Sequence, residues 1–262
     1  MRLLFFVLLI FSFDVQSKIP EPGYGLPELA SEARIKELNS KKRAKVMTPS
    51  VQRKMQRVLE ALDEAGILEQ EQALLKKEKK DKEAEAKDKE IAKAIANGQR
   101  ELDDLKTRLA SLQSYDRSMY YYYSAYYNLA YQDKISEAMN NYVKLVAEKD
   151  TAEKLRVHAY YVLAQLYLSE SNYQSGLDYL LRWFKNTAEV NPDGYVLLGQ
   201  AYYLLADKES TKSKVLASYQ KAYNNMVEAK RLADEKQIRF RENWYSLLLS
   251  LIHISEPTRP LD

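Results

Sequence analysis

The chain has 262 residues, 40 lysines and arginines against 37 aspartates and glutamates, and a formal net charge of +3. Acidic and basic residues are interleaved, so the concentrated basic stripe with which nucleic-acid-binding proteins neutralise phosphates is missing. No cysteine occurs, which excludes disulfides, thiolate nucleophiles, a lipidated N-terminal cysteine and the ordinary structural zinc sites.

Arg2, the apolar run from Leu3 to Phe13 and the tripeptide Val15-Gln16-Ser17 before Lys18 predict a secretory signal peptide over 1–17. A cysteine-free exported chain of this kind is expected in a bacterial periplasm. An uncleaved inner-membrane anchor is the alternative, although the run is shorter than the about 20 residues of a spanning helix. Residues 18–45, with Pro20, Pro22, Gly23, Gly25 and Pro27, read as a flexible leader.

Thr48-Pro49-Ser50 opens a helix with proline in its first turn. Its apolar stripe is Val51, Met55, Val58 and Leu62, and it is expected to end near Gly66. From Glu69 to Asp88 nearly every residue is Lys, Glu, Asp, Gln or Ala. That composition suits a solvated helix stitched by charge pairs of about 0.2–0.5 kcal/mol each, and cannot make a core. Ile91, Ile95, Leu102, Leu105, Leu109 and Leu112 then alternate spacings of four and three, with Gly98 in the skipped place. This is a short coiled-coil seam in which Gly98 costs roughly 1 kcal/mol against alanine. Two uses of it stand open. The helix folds back on Val51 to Leu62, making 46–114 a degenerate first repeat with a charged insertion, or the chain forms a homo-oligomer through Ile91 to Leu112.

Beyond residue 115 a helical pattern returns about every 35 residues, the period of a two-helix repeat. One unit reads Tyr160, Leu163, Ala164, Tyr167, then Gly176, Leu180 and Trp183. The next reads Tyr195, Leu198, Gly199, Tyr202, then, after an insertion from Asp207 to Lys214, Val215, Tyr219 and Ala222. Upstream stands a diverged copy, Tyr122, Ala125, Tyr126, Leu129, then Ala138, Tyr142 and Leu145, and a fourth begins at Asn243, Trp244, Tyr245 and Leu247. Offsets of three and four put each set on one helical face. The small residues Ala138, Ala164 and Gly199 let two helices approach closely. Leu249 to Arg259 resembles the translation of a transposon-type sequencing-library adapter, reading through its CTGTCTCTTATACACATCT core. Residues 249–262 are therefore expected to be non-native, with the repeats at 115–248 cut short, and no functional argument is placed on that tail.

The spacings resemble the tetratricopeptide (TPR) repeat with its W-x2-L-G-x2-Y opening. The expected fold is all-α: a TPR-type helical-hairpin solenoid preceded by a charged helical hairpin or short coiled coil. The runs LAQLYLSESNYQSGLDYLLRWF, DGYVLLGQAYYLL and ENWYSLLL are similar to a family of periplasmic TPR proteins encoded beside a second type of TonB, ExbB and ExbD complex in Gram-negative bacteria. The resemblance covers roughly Val51 to Leu248. It implies a non-enzymatic adaptor that touches that machinery and supports TonB-dependent uptake, notably of iron complexes. The segment Glu69 to Lys89 and the four consecutive tyrosines Tyr120 to Tyr123 depart from the family pattern. Cell-division or envelope-maintenance adaptors share the pairing of a short coiled coil with TPR units. A membrane-anchored structural protein that oligomerises through the seam is the rival of another class.

In a TPR solenoid the first helix of each pair lines the concave face, through residues off the packing stripe. That register nominates a partner-binding groove of Tyr120, Tyr123, Tyr127, Tyr131, His158, Tyr161, Gln165, Asp193, Gln200 and Tyr203. Tyrosine suits such a groove because its ring covers much apolar area with few rotors to freeze, while its hydroxyl bonds to peptide backbone. The competing reading is intramolecular packing, expected for Tyr122, Tyr126, Tyr160, Tyr167, Tyr195 and Tyr202. Trp183 and Trp244 read as core anchors, and Lys76 to Lys89 as a solvated face. His158 allows a pH-sensitive contact or a plain surface histidine.

An enzyme needs a nucleophile, an acid and base pair, or a metal with its ligands. The only histidines are His158 and His253, and there is no P-loop, dinucleotide fingerprint, G-x-S-x-G elbow or H-E-x-x-H helix. Asp103 and Asp104 sit among basic neighbours as a solvated pair. The expectation is a non-enzyme with no cofactor, metal, nucleic acid or small-molecule substrate, whose partners are proteins.

Overall fold

The computed structural model describes residues 24–40 and 45–255. The expected signal peptide and the last residues of the adapter-like tail lie outside the described residues. Among these the structure is all-helical: ten α-helices, one short 3-10 turn and no strand. None of these helices is long and apolar enough to cross a membrane. Two compact units are present, one of Glu32–Leu166 and one joining the N-terminal segment to Tyr167 and the residues after it.

The first unit begins with α1 (Glu32–Asn39) and then builds on α2 (Pro49–Lys77) and α3 (Asp81–Thr107). These two long helices pack as an antiparallel hairpin. Gln72 donates to Asp88 at 2.6 Å, Lys87 pairs with Glu71 at 2.8 Å, and Lys54 reaches Glu101 and Asp104 at 3.0 Å each. Between the two ends Val51, Met55, Val58, Ala61 and Ala65 bury against Ala84, Ala94, Leu102 and Leu105. The seam therefore spends Leu102 and Leu105 inside the chain, which removes them from any contact between copies; Ile91, Ile95, Leu109 and Leu112 are half-buried.

Two expectations for this hairpin are corrected. Helix α2 does not stop near Gly66 but runs 29 residues to Lys77, about 43 Å at 1.5 Å per residue. A Cβ at Gly66 would meet nothing within 4 Å, and α3 alongside continues to supply partners. The charged stretch is likewise two helices, because the chain reverses at Glu78 to Lys80 in its middle, and Ala84 is buried there.

That reversal shows how this chain ends helices without glycine. Lys79 takes a left-handed φ of 60°, with its N–H donating to the Lys76 carbonyl and the Lys80 N–H to that of Leu75. This pair of bonds closes a Schellman cap and satisfies carbonyls the helix leaves open. The same device recurs at Ser171, φ 60°, and Gln237, φ 56°, with Asn172 donating to Tyr167 and Ile238 to Ala233. A side chain in the left-handed region costs roughly 1–2 kcal/mol. Lys79→Gly is expected to raise stability by about 1 kcal/mol in urea unfolding; no gain would show that another interaction of Lys79 holds the turn.

The rest of the unit is α4 (Ser114–Ala130), α5 (Ile135–Ala147) and most of α6 (Glu153–Ser169). Helices α4 and α5 pair around buried Ala125, Ala138, Tyr142 and Leu145. The open carbonyls at the end of α5 are taken by the start of α6. Thr151 Oγ1 donates to the Leu145 carbonyl at 2.6 Å, and Arg156 donates to the carbonyls of Val146 and Glu148. Glu148 accepts from Arg117 Nε at 2.6 Å and Nη2 at 2.8 Å, a two-pronged pair, and from Ser114 Oγ at 2.8 Å. At the start of α4 the buried Asp116 carboxylate accepts the Thr48 N–H at 3.0 Å, tying α2 to α4.

The second unit packs α7 (Tyr173–Asn186), α8 (Pro192–Ala206), α9 (Lys212–Glu235) and α10 (Glu242–Ser255) in sequential neighbours. Asn172, Asn191 and Thr211 cap α7, α8 and α9 through their side chains. The core holds Leu180, Trp183 and Phe184 of α7, Tyr195, Leu198 and Tyr202 of α8, and Ala222, Met226 and Ala229 of α9. At Gly199 a Cβ would sit 2.9 Å from the Met226 side chain, so the small residue sets how closely α8 and α9 approach. Phe240 just before α10 and Trp244 and Tyr245 in its first turn form an aromatic knot, with Phe240 and Trp244 ring centroids 5.2 Å apart.

The expected flexible leader is also corrected where it is described. Arg34 of α1 pairs with Glu153 at 2.7 Å in the first unit, and Tyr24 to Ala30 bond to α7 and α9 in the second. Both stretches find hydrogen-bond partners on helices, which is what a linker lacks.

Candidate functional site

The nominated groove residues fall in both units: Tyr120 to Gln165 in the first, Asp193, Gln200 and Tyr203 in the second. Two of them are buried. Tyr120 is 6% exposed and Tyr127 0%, because the face of α4 that carries them lies against the α2–α3 hairpin. The Tyr127 hydroxyl enters a space left by Gly98, where a Cβ would stand 1.8 Å from its oxygen. Burial, with neighbouring Tyr131 and Tyr126 adding to it, pushes the Tyr127 phenol up to about 12. The hydroxyl has no hydrogen-bond partner. Gly98 is thus a fitted notch, and Tyr127 is core.

Tyr126, expected in the packing, is instead 42% exposed. Its ring meets Tyr131 at 6.2 Å, and Tyr131 meets Tyr127 at 5.5 Å. One turn earlier, Tyr122 is half-buried between Tyr123 at 5.2 Å and His158 of α6 at 6.1 Å, both edge-on. Edge-to-face aromatic pairs at these separations are favourable beyond the area they cover. Beneath them Tyr142 of α5 is 3% exposed, its phenol pushed up to about 12 by burial and then by Tyr122 and Tyr126.

The outcome is an aromatic surface shared by two helices, Tyr123, Tyr122 and Tyr126 on α4 continuing to His158 on α6. His158, Tyr161 and Gln165 follow at offsets of three and four along one face of α6, with His158 and Gln165 exposed and Tyr161 half-buried. Desolvation by the surrounding protein lowers the His158 pKa, so the imidazole favours its neutral form. Burial raises the phenol of Tyr123, with Tyr122 and Tyr115 adding to it. Such a surface offers ring faces, hydroxyls and a neutral imidazole, chemistry for covering a partner's apolar side chains while bonding to its backbone.

In the second unit the nominated residues serve their own fold. Asp193 pairs with Arg241 at 3.3 Å, and Tyr203 lies against Tyr219 of α9 at 5.6 Å. Gln200 is half-buried. Burial and then Asp207 raise the Tyr203 phenol, and Tyr219, similarly raised, donates to Asp207 at 3.0 Å. Among the described residues no three His, Asp or Glu side chains stand where they could share a metal ion. The residues that the repeat register overlooked are Lys221, Asn224 and Asn225, which grip the leader from α9. Adjacent asparagines in mid-helix, where asparagine is a poor helix former, are the one signal in the sequence.

The chain matches no family model, no curated protein and no solved structure.

Proposed function

We propose that the chain is a non-enzymatic TPR-type adaptor of the periplasm that binds a protein segment across the first helices of its repeats. The observation that supports this most is the contact of Tyr122 on α4 with His158 on α6, beside the exposed ring of Tyr126. It makes one aromatic surface of α4 and α6, which this reading takes as the face of the repeats that meets a partner. The burial of Ala125, Ala138, Leu163 and Ala164 supports the reading, since such a repeat needs small or apolar residues where its helices approach. The partner class is the TonB, ExbB and ExbD machinery, on the resemblance of the repeat text, with support of iron-complex uptake as the role.

A photo-crosslinking residue at position 126, in cells that carry the TonB, ExbB and ExbD proteins, tests both halves of this reading. Crosslinks to one of those components are expected, and Tyr126→Ala should weaken binding of the identified component at least ten-fold, as for an aromatic anchor at an interface. The stability cost of the substitution should stay within about 1 kcal/mol, since the ring is largely exposed. Crosslinks only to other proteins would keep the surface and remove the partner. No crosslink at 126, with unchanged binding in the variant, would remove the surface.

A further inference from the structure

The segment Tyr24 to Ala30 lies along α7 and α9 in a way that its own side chains do not explain. Tyr24, Leu26 and Leu29 are 44%, 36% and 48% exposed, so little apolar burial holds it. Apart from an exposed Lys185–Glu28 ion pair at 2.6 Å and the Tyr24 ring contact described below, the grip is on its backbone. Asn224 Nδ2 donates to the Tyr24 carbonyl at 2.7 Å and Asn225 Nδ2 to the Gly25 carbonyl at 3.0 Å. Farther along, the Ala30 N–H donates to the Phe184 carbonyl at 3.1 Å, one of those left open in the last turn of α7.

Asn225 shows that this is a built site. It is 0% exposed, its Nδ2 is split between the Gly25 carbonyl and the Lys221 carbonyl at 2.8 Å, and its Oδ1 has no partner. A buried amide half satisfied in this way costs stability, and its one contact outside its own helix that binds something is with the leader. Two features read sequence. Lys221 Nζ lies between the rings of Tyr24, at 5.6 Å, and Tyr202, at 5.4 Å, a cation held by two π faces. Gly25 has φ +79°, and a Cβ there would stand 2.2 Å from Lys221 Cγ, so glycine alone fits.

We propose that Lys221, Asn224 and Asn225 form a peptide-binding site for an extended segment carrying an aromatic residue followed by glycine, occupied in cis by the chain's own leader as an exchangeable plug. The site is independent of the aromatic surface on α4 and α6. Bonds to backbone carbonyls are tolerant of sequence, the aromatic and glycine steps supply selectivity, and the exposed leader side chains make release cheap. Tethering keeps the leader at a high effective concentration, so an incoming segment competes only when it binds more tightly or when the leader is drawn away.

The test uses the full chain and a labelled peptide of residues 18–31, KIPEPGYGLPELAS. In the full-length Gly25→Ala chain the plug cannot seat, and the peptide is expected to bind at least ten-fold more tightly than to the unaltered chain. Adding Asn224→Ala should reverse most of that gain, and a peptide with its Tyr-Gly glycine replaced by alanine should not bind. Equal affinity for the altered and unaltered chains, or equal binding of the alanine peptide, would overturn the proposal. Hydrogen exchange on the unaltered chain reads the same equilibrium without a substitution. Excess peptide should speed exchange at the Ala30 amide, and unchanged protection at saturating peptide would count against an exchangeable plug.

Discussion

Tyr127→Ala is expected to cost about 3–5 kcal/mol, the range for emptying a buried aromatic site, whereas Tyr127→Phe should raise stability by about 1 kcal/mol. The two signs follow from one geometry. The ring is 0% exposed and fills the notch at Gly98 between α2 and α3, so removing it leaves a cavity. The hydroxyl at its tip finds no partner, and a buried polar group without a hydrogen bond carries a penalty of about 1–3 kcal/mol that phenylalanine avoids. Gly98→Ala completes the cycle. With Tyr127 present the new methyl overlaps the hydroxyl and should cost about 1–3 kcal/mol. In the Tyr127→Ala background only the Ala61 Cβ, 3.1 Å away, stays close, so the cost should largely vanish and helix propensity can add a gain of up to about 1 kcal/mol. Urea unfolding of the four chains measures the cycle, and Gly98→Ala having the same effect in both backgrounds would show that the notch does not exist.

The same pair shows where the sequence was readable. Apolar residues three and four apart mark the helices from α5 onward, and Leu163, Ala164, Leu180, Leu198 and Ala222 are buried as that spacing requires. Helix α4 is different. Tyrosine occupies positions 115, 120 to 123, 126, 127 and 131, so all of its faces carry the same residue and periodicity cannot rank them. What separates buried Tyr127 from exposed Tyr126 is a missing Cβ on α3, nearly 30 residues away. The reversal at Glu78 to Lys80 was hidden for a related reason. Lys79 adopts the left-handed turn that glycine usually marks, and a run of charged residues shows no punctuation. The prolines and glycines of the leader predict free chain. Its partners Asn224 and Asn225 lie 200 residues further on, and only the fold brings them to it.

Arg117→Met is expected to destabilise the first unit by about 2–3 kcal/mol at neutral pH, and the loss should shrink as the solution is acidified. Glu148 is 14% exposed and accepts two bonds from Arg117. Removing the guanidinium leaves a partly buried carboxylate with only Ser114 to answer it, and hydrogen bonds to charged groups carry about 1.5–3 kcal/mol. The hydrogen bonds from Arg117, against an opposing desolvation, hold the folded Glu148 carboxyl below its ordinary value. The unfolded chain therefore takes up the proton first as pH falls. Stability from the pair is complete above the usual glutamate range near ~4.3 and declines as pH drops through the depressed folded value. In the methionine variant the carboxylate loses that support, and protonation relieves its burial instead. The urea midpoints of the two chains should thus be well separated at pH 7 and converge below about pH 4, where the unfolded-state glutamate is mostly protonated. A separation that stays constant across this range would mean that the Arg117 stem packs against its neighbours and that its charge contributes nothing. Convergence would place the electrostatic link between the start of α4 and the end of α5, where it ties the open end of that helical pair together.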